Sequence, residues 1–279
     1  MKSKKILSLA AALALSLGLI ACGKTTGLKA TTDVPAKDII VGVCAGPYGD
    51  MFKDVIQPSL EEKGYKVTIK EFSDYVQPNK ALANKEIDLN MFQHSVYLEK
   101  FAAGNNLKLT AIAEIPTAGM GIYSNKIKSL DELKEGALVT IPDDPTNLTR
   151  ALKVLEAAGL ITIDPKVENS IATEKDLSEN PKKLEFKLIE APQLPRTLDS
   201  ADLAVINGNF AIAAGLNPSE ALYNEKLSDG YINVIAVRTE DADSQLSKDV
   251  LEVVKSSKFK SVIDDPNGQY KAFQKPADY

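Results

Sequence analysis

The chain has 279 residues, with 33 Lys and Arg against 38 Asp and Glu and a formal net charge of −5. A mildly acidic chain with mixed charge excludes nucleic acid as an expected partner, because phosphate binding needs clustered Lys and Arg. Two cysteines and one histidine leave no CxxC pair and no Cys/His zinc spacing.

In chain order, the first element is a leader. Met1-Lys-Ser-Lys-Lys5 is basic, residues 6–20 are an uncharged run of Ile, Leu, Ala, Ser and Gly, and Leu19-Ile-Ala-Cys22 places small residues before a cysteine. A basic start, a short apolar run and a small-residue cleavage site make a secretory signal, and the apolar run is too short for a membrane span. The ending resembles a bacterial lipobox, in which Cys22 is lipidated and becomes the new N-terminus. The expected division is therefore a signal peptide over 1–21 and a tether over 22–38, the latter small and polar with no apolar period. Loss of the leader removes three lysines and no acid, so the charge moves to −8. With Cys22 lipidated, Cys44 stands alone in an apolar strand pattern and is read as packing.

From residue 39 strands and helices alternate. The patterns predict strands over 39–43, 65–72, 87–91, 107–115, 138–141, 184–189, 203–206 and 232–237. Helices are predicted over 50–63, 79–85, 97–103, 129–135, 145–158 and 246–256, with Ser129 and Asp144 as caps and Gly64 and Gly159 as stops. Such alternation means an α/β fold with helices on the sheet faces.

The clearest local site is Ile-Pro-Asp-Asp-Pro-Thr-Asn-Leu-Thr-Arg at 141–150. Asp144 suits the N-cap and Pro145 the first helical position, so Asn147 and Arg150, three apart, share a flank near the helix start. That end attracts an anion, and the Arg150 fork matches a carboxylate. A plain ion pair with a nearby acid is the competing reading. His94 is placed where a strand ends and a loop begins, among Phe92 and Tyr97. Tyr75 lies at another strand-to-helix turn. Asn207 and Asn233 are amides in apolar strand patterns; either backbone or a ligand would satisfy them. No GxSxG, HExxH or GxGxxG motif is present. His94 has no nucleophile placed beside it, so an enzyme is not expected, and neither is a cofactor or metal. A surface hydrolase with His94 as base is the rival of another class, and an adhesin or structural lipoprotein is a further one.

Six stretches in order resemble the NlpA family of methionine-binding lipoproteins, the solute receptors of bacterial methionine ABC importers. They are Asp-Tyr-Val-Gln-Pro-Asn at 74–79, Phe-Gln-His-Ser-Val-Tyr-Leu at 92–98 and Asn-Lys-Ile-Lys-Ser-Leu-Asp-Glu-Leu at 125–133, followed by the 141–150 segment, Glu-Ala-Pro-Gln-Leu-Pro-Arg at 190–196 and Ala-Val-Ile-Asn at 204–207. The resemblance implies a two-lobed periplasmic-binding fold, type II-like, with the ligand cleft between lobe 1 (39–118 and 232–279) and lobe 2 (119–231). It implies an L-amino acid ligand, methionine first, delivered to an ABC permease and its ATPase, and a membrane anchor through Cys22. A methionine-containing dipeptide or another apolar amino acid is the alternative ligand. By resemblance Arg150 holds the ligand carboxylate with Asn147 beside it, Asn207 and Asn233 bond its amino and carboxylate groups, and Tyr75, Phe92, His94 and Tyr97 wall the side-chain pocket. One place departs. Where the family usually carries Glu-Pro or Tyr-Pro, this chain has Ala118-Gly119 within Pro-Thr-Ala-Gly-Met at 116–120, which predicts a roomier or more mobile pocket.

Overall fold

The computed structural model describes residues 37–167, 171–228 and 230–279. The leader, Cys22 and all but the last two tether residues lie outside the described residues. In chain order the strands are β1 (Lys37–Cys44), β2 (Tyr65–Phe72), β3 (Leu89–His94), β4 (Leu109–Ile115), β5 (Gly121–Tyr123), β6 (Leu138–Pro142), β7 (Thr162–Ile163), β8 (Leu177–Glu179), β9 (Glu185–Ile189), β10 (Leu203–Ile206), β11 (Tyr223–Asn224) and β12 (Asn233–Arg238). The helices are α1 (Pro47–Met51), α2 (Gln57–Glu62), α3 (Gln77–Ala83), α4 (Ser95–Gly104), α5 (Pro145–Ala157), α6 (Gly208–Ala213), α7 (Gln245–Val254) and α8 (Ser257–Ile263).

Two five-stranded sheets organise them, ordered β2-β1-β3-β12-β4 and β11-β5-β10-β6-β9; β7 and β8 form a separate pair. In the first sheet β1 runs parallel to β2 and β3, while β12 runs antiparallel to both β3 and β4. β12 comes late in the chain yet sits between two early strands, so the chain leaves the first sheet after β4, builds the second, and returns. Each sheet has its own core. Met51, Phe52, Ile56 and Leu60 pack under the first, and Leu152, Leu155, Val139 and Ile141 pack within the second.

The two connecting segments are tied together by the end of the chain. Thr117 and Gln274 exchange both backbone hydrogen bonds at 2.9 Å. The Gln274 side chain reaches the other connection, donating through Nε2 to the Glu225 carbonyl at 2.9 Å and accepting from the Leu227 amide at 2.7 Å.

Several local expectations change. The helix expected over 50–63 starts at Pro47 and contains a π-turn at Phe52–Ile56. Pro58 explains it: proline lacks the N–H for the i−4 carbonyl and its ring clashes there, and widening the preceding turn relieves both. The helix expected over 129–135 is a single 3-10 turn, Leu130–Glu132, under the Ser129 cap. Leu133 is already extended and Gly136 takes φ 73°, so too few residues remain to offset the cost of nucleation. The loop expected at His94 does not exist. β3 runs through His94, α4 begins at Ser95, and the His94 ring is the helix N-cap, its Nδ1 accepting from the Tyr97 amide at 3.1 Å. β3 carries Asn90, Gln93 and His94, and this polarity disguises a strand buried at every position. The polar residues are satisfied laterally: Asn79 on α3 pairs with Gln93 through two bonds of 2.7 Å, and Asn90 bonds both. Cys44 is buried, as its pattern implies, with its thiol on the Asp74 carbonyl at 3.2 Å; burial pushes its pKa up.

Candidate functional site

The facing edges of the two sheets bring the predicted residues to one cavity. Its wall includes Tyr75, Phe92, His94, Tyr97 and Asn233 from the first sheet's side, and Asn147, Arg150 and Asn207 from the second. All eight sequence candidates inside the described region are therefore together. The space between the side chains is about 310 Å³, a small slot.

A directional hydrogen-bond chain sets the polarity of its floor. Asp144 caps α5, accepting from the Asn147 amide at 3.0 Å. The anion site expected at this helix start is thus filled by the chain's own carboxylate. Asp144 also accepts from Asn147 Nδ2 at 3.1 and 2.9 Å, which turns Asn147 Oδ1 the other way. That oxygen faces His94 Nε2 at 3.2 Å and accepts from Asn207 Nδ2 at 2.9 Å. Since His94 Nδ1 is an acceptor, its ring proton sits on Nε2 and points at Asn147. The last link leaves Oδ1 of Asn207, a residue of the slot wall, buried and without a donor. A buried carbonyl oxygen without a donor calls for one from outside the chain.

Burial, reinforced by the Arg150 charge, lowers the His94 pKa to about 3, so the ring is neutral at physiological pH. Burial also raises the Asp144 pKa, against the pull of its hydrogen bonds from Asn147 and Thr146. Arg150 stays charged. Desolvation works against the cation, but Glu225 outweighs it and the pKa is raised.

Glu225 was not visible in the sequence. It lies 75 residues beyond Arg150 and takes the side edge of the guanidinium, Nε to Oε1 at 2.8 Å and Nη2 to Oε2 at 2.7 Å. The competing reading of the sequence, an ion pair with an acid, thus holds for one edge of the fork. Both side chains are buried, at 5% and 7% exposure. Glu225 Oε2 also accepts from the Met120 amide at 2.7 Å. Behind Arg150, the Tyr231 ring lies 5.3 Å from the guanidinium carbon and 5.0 Å from the His94 ring.

The aromatic wall centres on Tyr75, whose ring lies 5.7 Å from Phe92, 5.8 Å from Tyr97 and 5.0 Å from Phe210. Phe210 and Asn209, both on α6, went unnoticed because a six-residue helix gives little period to read. The Tyr75 hydroxyl donates to Asn209 Oδ1 at 2.6 Å, and Asn209 Nδ2 reaches back to the Ala45 carbonyl at 3.0 Å. These two bonds latch one side of the slot to the other. Asn233 is less open than expected. It starts β12 and its Nδ2 donates to the Phe92 carbonyl at 3.1 Å, which is the backbone partner left as one option by its sequence.

The Ala118-Gly119 departure meets the slot at Ala118, and both residues also line a second cavity, with Asn224 and Phe273, of about 670 Å³. The Gly119 carbonyl would stand 2.5 Å from any Cβ at Gly208, and a Cβ on Gly119 would meet Gln274 Nε2 and the Glu225 carbonyl at 3.1 Å each. Tyr48, another unforeseen wall residue, receives the Ala118 amide on its hydroxyl at 3.1 Å.

Two sheets joined by paired connections, with a polar and aromatic slot between them, make a two-lobed α/β protein with a small-molecule cleft. Residues 39–277 match the family model described as NlpA lipoprotein. Over 252 residues the chain is 40% identical to the methionine-binding lipoprotein MetQ of Bacillus subtilis, covering 88% of this chain and 90% of that one. Among solved structures, a nutrient binding protein from Burkholderia cenocepacia bound to methionine has a TM-score of 0.78 and 38% identity, over 84% of this chain and 97% of that one. An ABC transporter periplasmic substrate-binding protein from Coxiella burnetii has a TM-score of 0.76 and 40% identity, over 81% and 95%. The chain belongs to the NlpA lipoprotein family.

Proposed function

We infer that the chain is the lipid-anchored, substrate-binding protein of an ABC importer, that it takes up methionine in the slot, and that it hands the amino acid to a permease and its ATPase. The observation that carries this is the buried, unpartnered Asn207 Oδ1. It asks for a donor, and the ammonium of an amino acid is one. Arg150 keeps its end-on N–H pair for the ligand carboxylate, with Asn147 fixing the floor beside it. Asn233 borders the same end. Tyr75, Phe92 and Tyr97 offer ring faces and edges to a thioether, a contact worth about 0.3–1.5 kcal/mol for each ring, and neutral His94 closes the wall without adding charge. The ligand enters as the lobes, taken as 39–118 with 232–279 and 119–231, part and close about the paired connections. Cys22 carries the lipid.

Native mass spectrometry of residues 23–279 purified without added ligand, followed by release of any adduct, tests the reading. Bound methionine supports it. An empty protein is then screened by thermal shift with both methionine enantiomers, other apolar amino acids and methionine dipeptides. Saturation at 100 times Kd adds about 2.7 kcal/mol of stability. Absence of a shift with every compound would sink the transport reading.

A further inference from the structure

We propose that Asp144 is a positioning residue that selects the ligand without touching it. Through Asn147 it holds Asn207 with its carbonyl oxygen toward the ligand, so the slot takes an α-amino donor and refuses an α-carbonyl acceptor. The proposal rests on the amino-acid reading above.

The direction of these hydrogen bonds follows from a backbone group, and no ionised side chain is needed to set it. The Tyr97 N–H, in the first turn of α4, can only donate, and it donates to His94 Nδ1 at 3.1 Å. The neutral ring therefore carries its proton on Nε2. Nε2 lies 3.2 Å from Asn147, so the Asn147 atom there is the acceptor, Oδ1. The same oxygen lies 2.9 Å from Asn207, which must present Nδ2 to it. Asn207 Oδ1 is thereby turned away from Asn147, buried and without a donor among the described residues. The other end of the chain of bonds agrees. Asn147 Nδ2 is left facing the two Asp144 oxygens at 3.1 and 2.9 Å, and both accept. Asp144 Oδ1 also accepts from the Asn147 N–H and the Thr146 hydroxyl, at 3.0 Å each.

Asp144 is not part of the slot wall, so it acts only through Asn147. Its two oxygens make the orientation costly to reverse. Were the Asn147 amide turned over, its oxygen would face the Asp144 acceptors and its nitrogen would face the His94 and Asn207 donors, all of them buried. An isosteric Asn at 144 changes that balance. Its single oxygen is needed to cap α5 at the Asn147 N–H. Its amide nitrogen then takes the place of Oδ2, 2.9 Å from Asn147 Nδ2, donor against donor. Asn147 is pulled toward the turned-over state, Asn207 follows, and the ligand meets an amide N–H in place of a carbonyl oxygen.

Two measurements test this. The chain has one histidine, so ring-nitrogen NMR of protein made with isotopically labelled histidine reads His94 alone. At neutral pH the wild type should show the tautomer protonated on Nε2; protonation on Nδ1 overturns the proposal, whatever the ligand. Isothermal titration then compares L-methionine with its α-hydroxy and α-keto analogues, which share the thioether and the carboxylate and differ in what they offer Asn207. In the wild type the keto acid should bind more than about a hundredfold more weakly than methionine, with the hydroxy acid between them. In Asp144→Asn that gap should narrow by about tenfold or more, since the buried amide now favours an acceptor. A role confined to capping α5 would weaken all three ligands in proportion, and a gap that Asp144→Asn leaves unchanged overturns the proposal. If that variant does not fold, Asp144→Ser takes its place. Ser also caps a helix but removes the oxygen facing Asn147 Nδ2, and the gap should narrow by at least about threefold. Failure of methionine itself to bind the wild type would instead remove the amino-acid reading, and this proposal with it, whatever the tautomer.

Discussion

Replacing Arg150 by Met is the sharpest test of how the site is held together. It leaves Glu225, 7% exposed, with one remaining donor, the Met120 amide on Oε2 at 2.7 Å. Breaking a buried pair on one side costs about 3–5 kcal/mol, because the surviving charge keeps its desolvation and loses its partner. Replacing both members by neutral groups of similar size restores much of that loss. Arg150→Met with Glu225→Gln should therefore recover about 2–3 kcal/mol relative to Arg150→Met alone. The contact of Arg150 with Tyr231 is lost in both backgrounds, so it cancels from the double-mutant cycle. Denaturant unfolding of the ligand-free proteins near pH 7.5 gives the four free energies. That pH matters, since an isolated buried carboxyl can escape part of its cost by taking up a proton. An Arg150→Met loss below about 1 kcal/mol, or a double variant no more stable than the single one, would refute the reasoning.

Two further outcomes follow from the geometry. His94 has its folded pKa depressed to about 3, so between about pH 6.5 and 3 the unfolded chain holds one more proton than the folded one. Its contribution to stability is complete above about pH 6.5 and falls with pH by at most about 1.4 kcal/mol per unit; His94→Gln should flatten that slope in unfolding titrations, and an unchanged slope would place the acid sensitivity elsewhere. Gly46 has φ 117°, and a Cβ there would lie 2.5 Å from the Asn209 carbonyl oxygen across the slot. Gly46→Ala should cost about 1–3 kcal/mol of backbone strain and weaken ligand binding by more than tenfold by holding the sides apart; wild-type affinity by titration would contradict the close approach.

The longer strands and helices were legible because each carries an apolar pattern, whereas β5, β7, β8 and β11 have only two or three residues and show none. α5 shows why: Asp144 and Pro145 mark its start, Leu148, Ala151, Leu152 and Leu155 its buried stripe, and the helix runs Pro145–Ala157. β3 resisted for the opposite reason. Its polar residues serve the buried amide cluster and the site, and functional positions are where local pattern and fold disagree. The candidate residues were legible through family resemblance more than through spacing, and the slot gathers them. What stayed hidden was their partnership. Asn209 faces Tyr75 across 134 positions and Glu225 faces Arg150 across 75, and no local period encodes contacts at that separation.

The placement of β12 also bears on how the chain is made. This strand fills the middle of the first sheet, pairing with β3 on one side and β4 on the other. Until residues 233–238 have been synthesised, β3 and β4 have no partner on those flanks, and the N-terminal half cannot complete its core. Long-range pairing of this kind slows folding. The return of the chain to its first sheet thus makes the completion of that sheet wait for residues 233–238, close to the end of the chain.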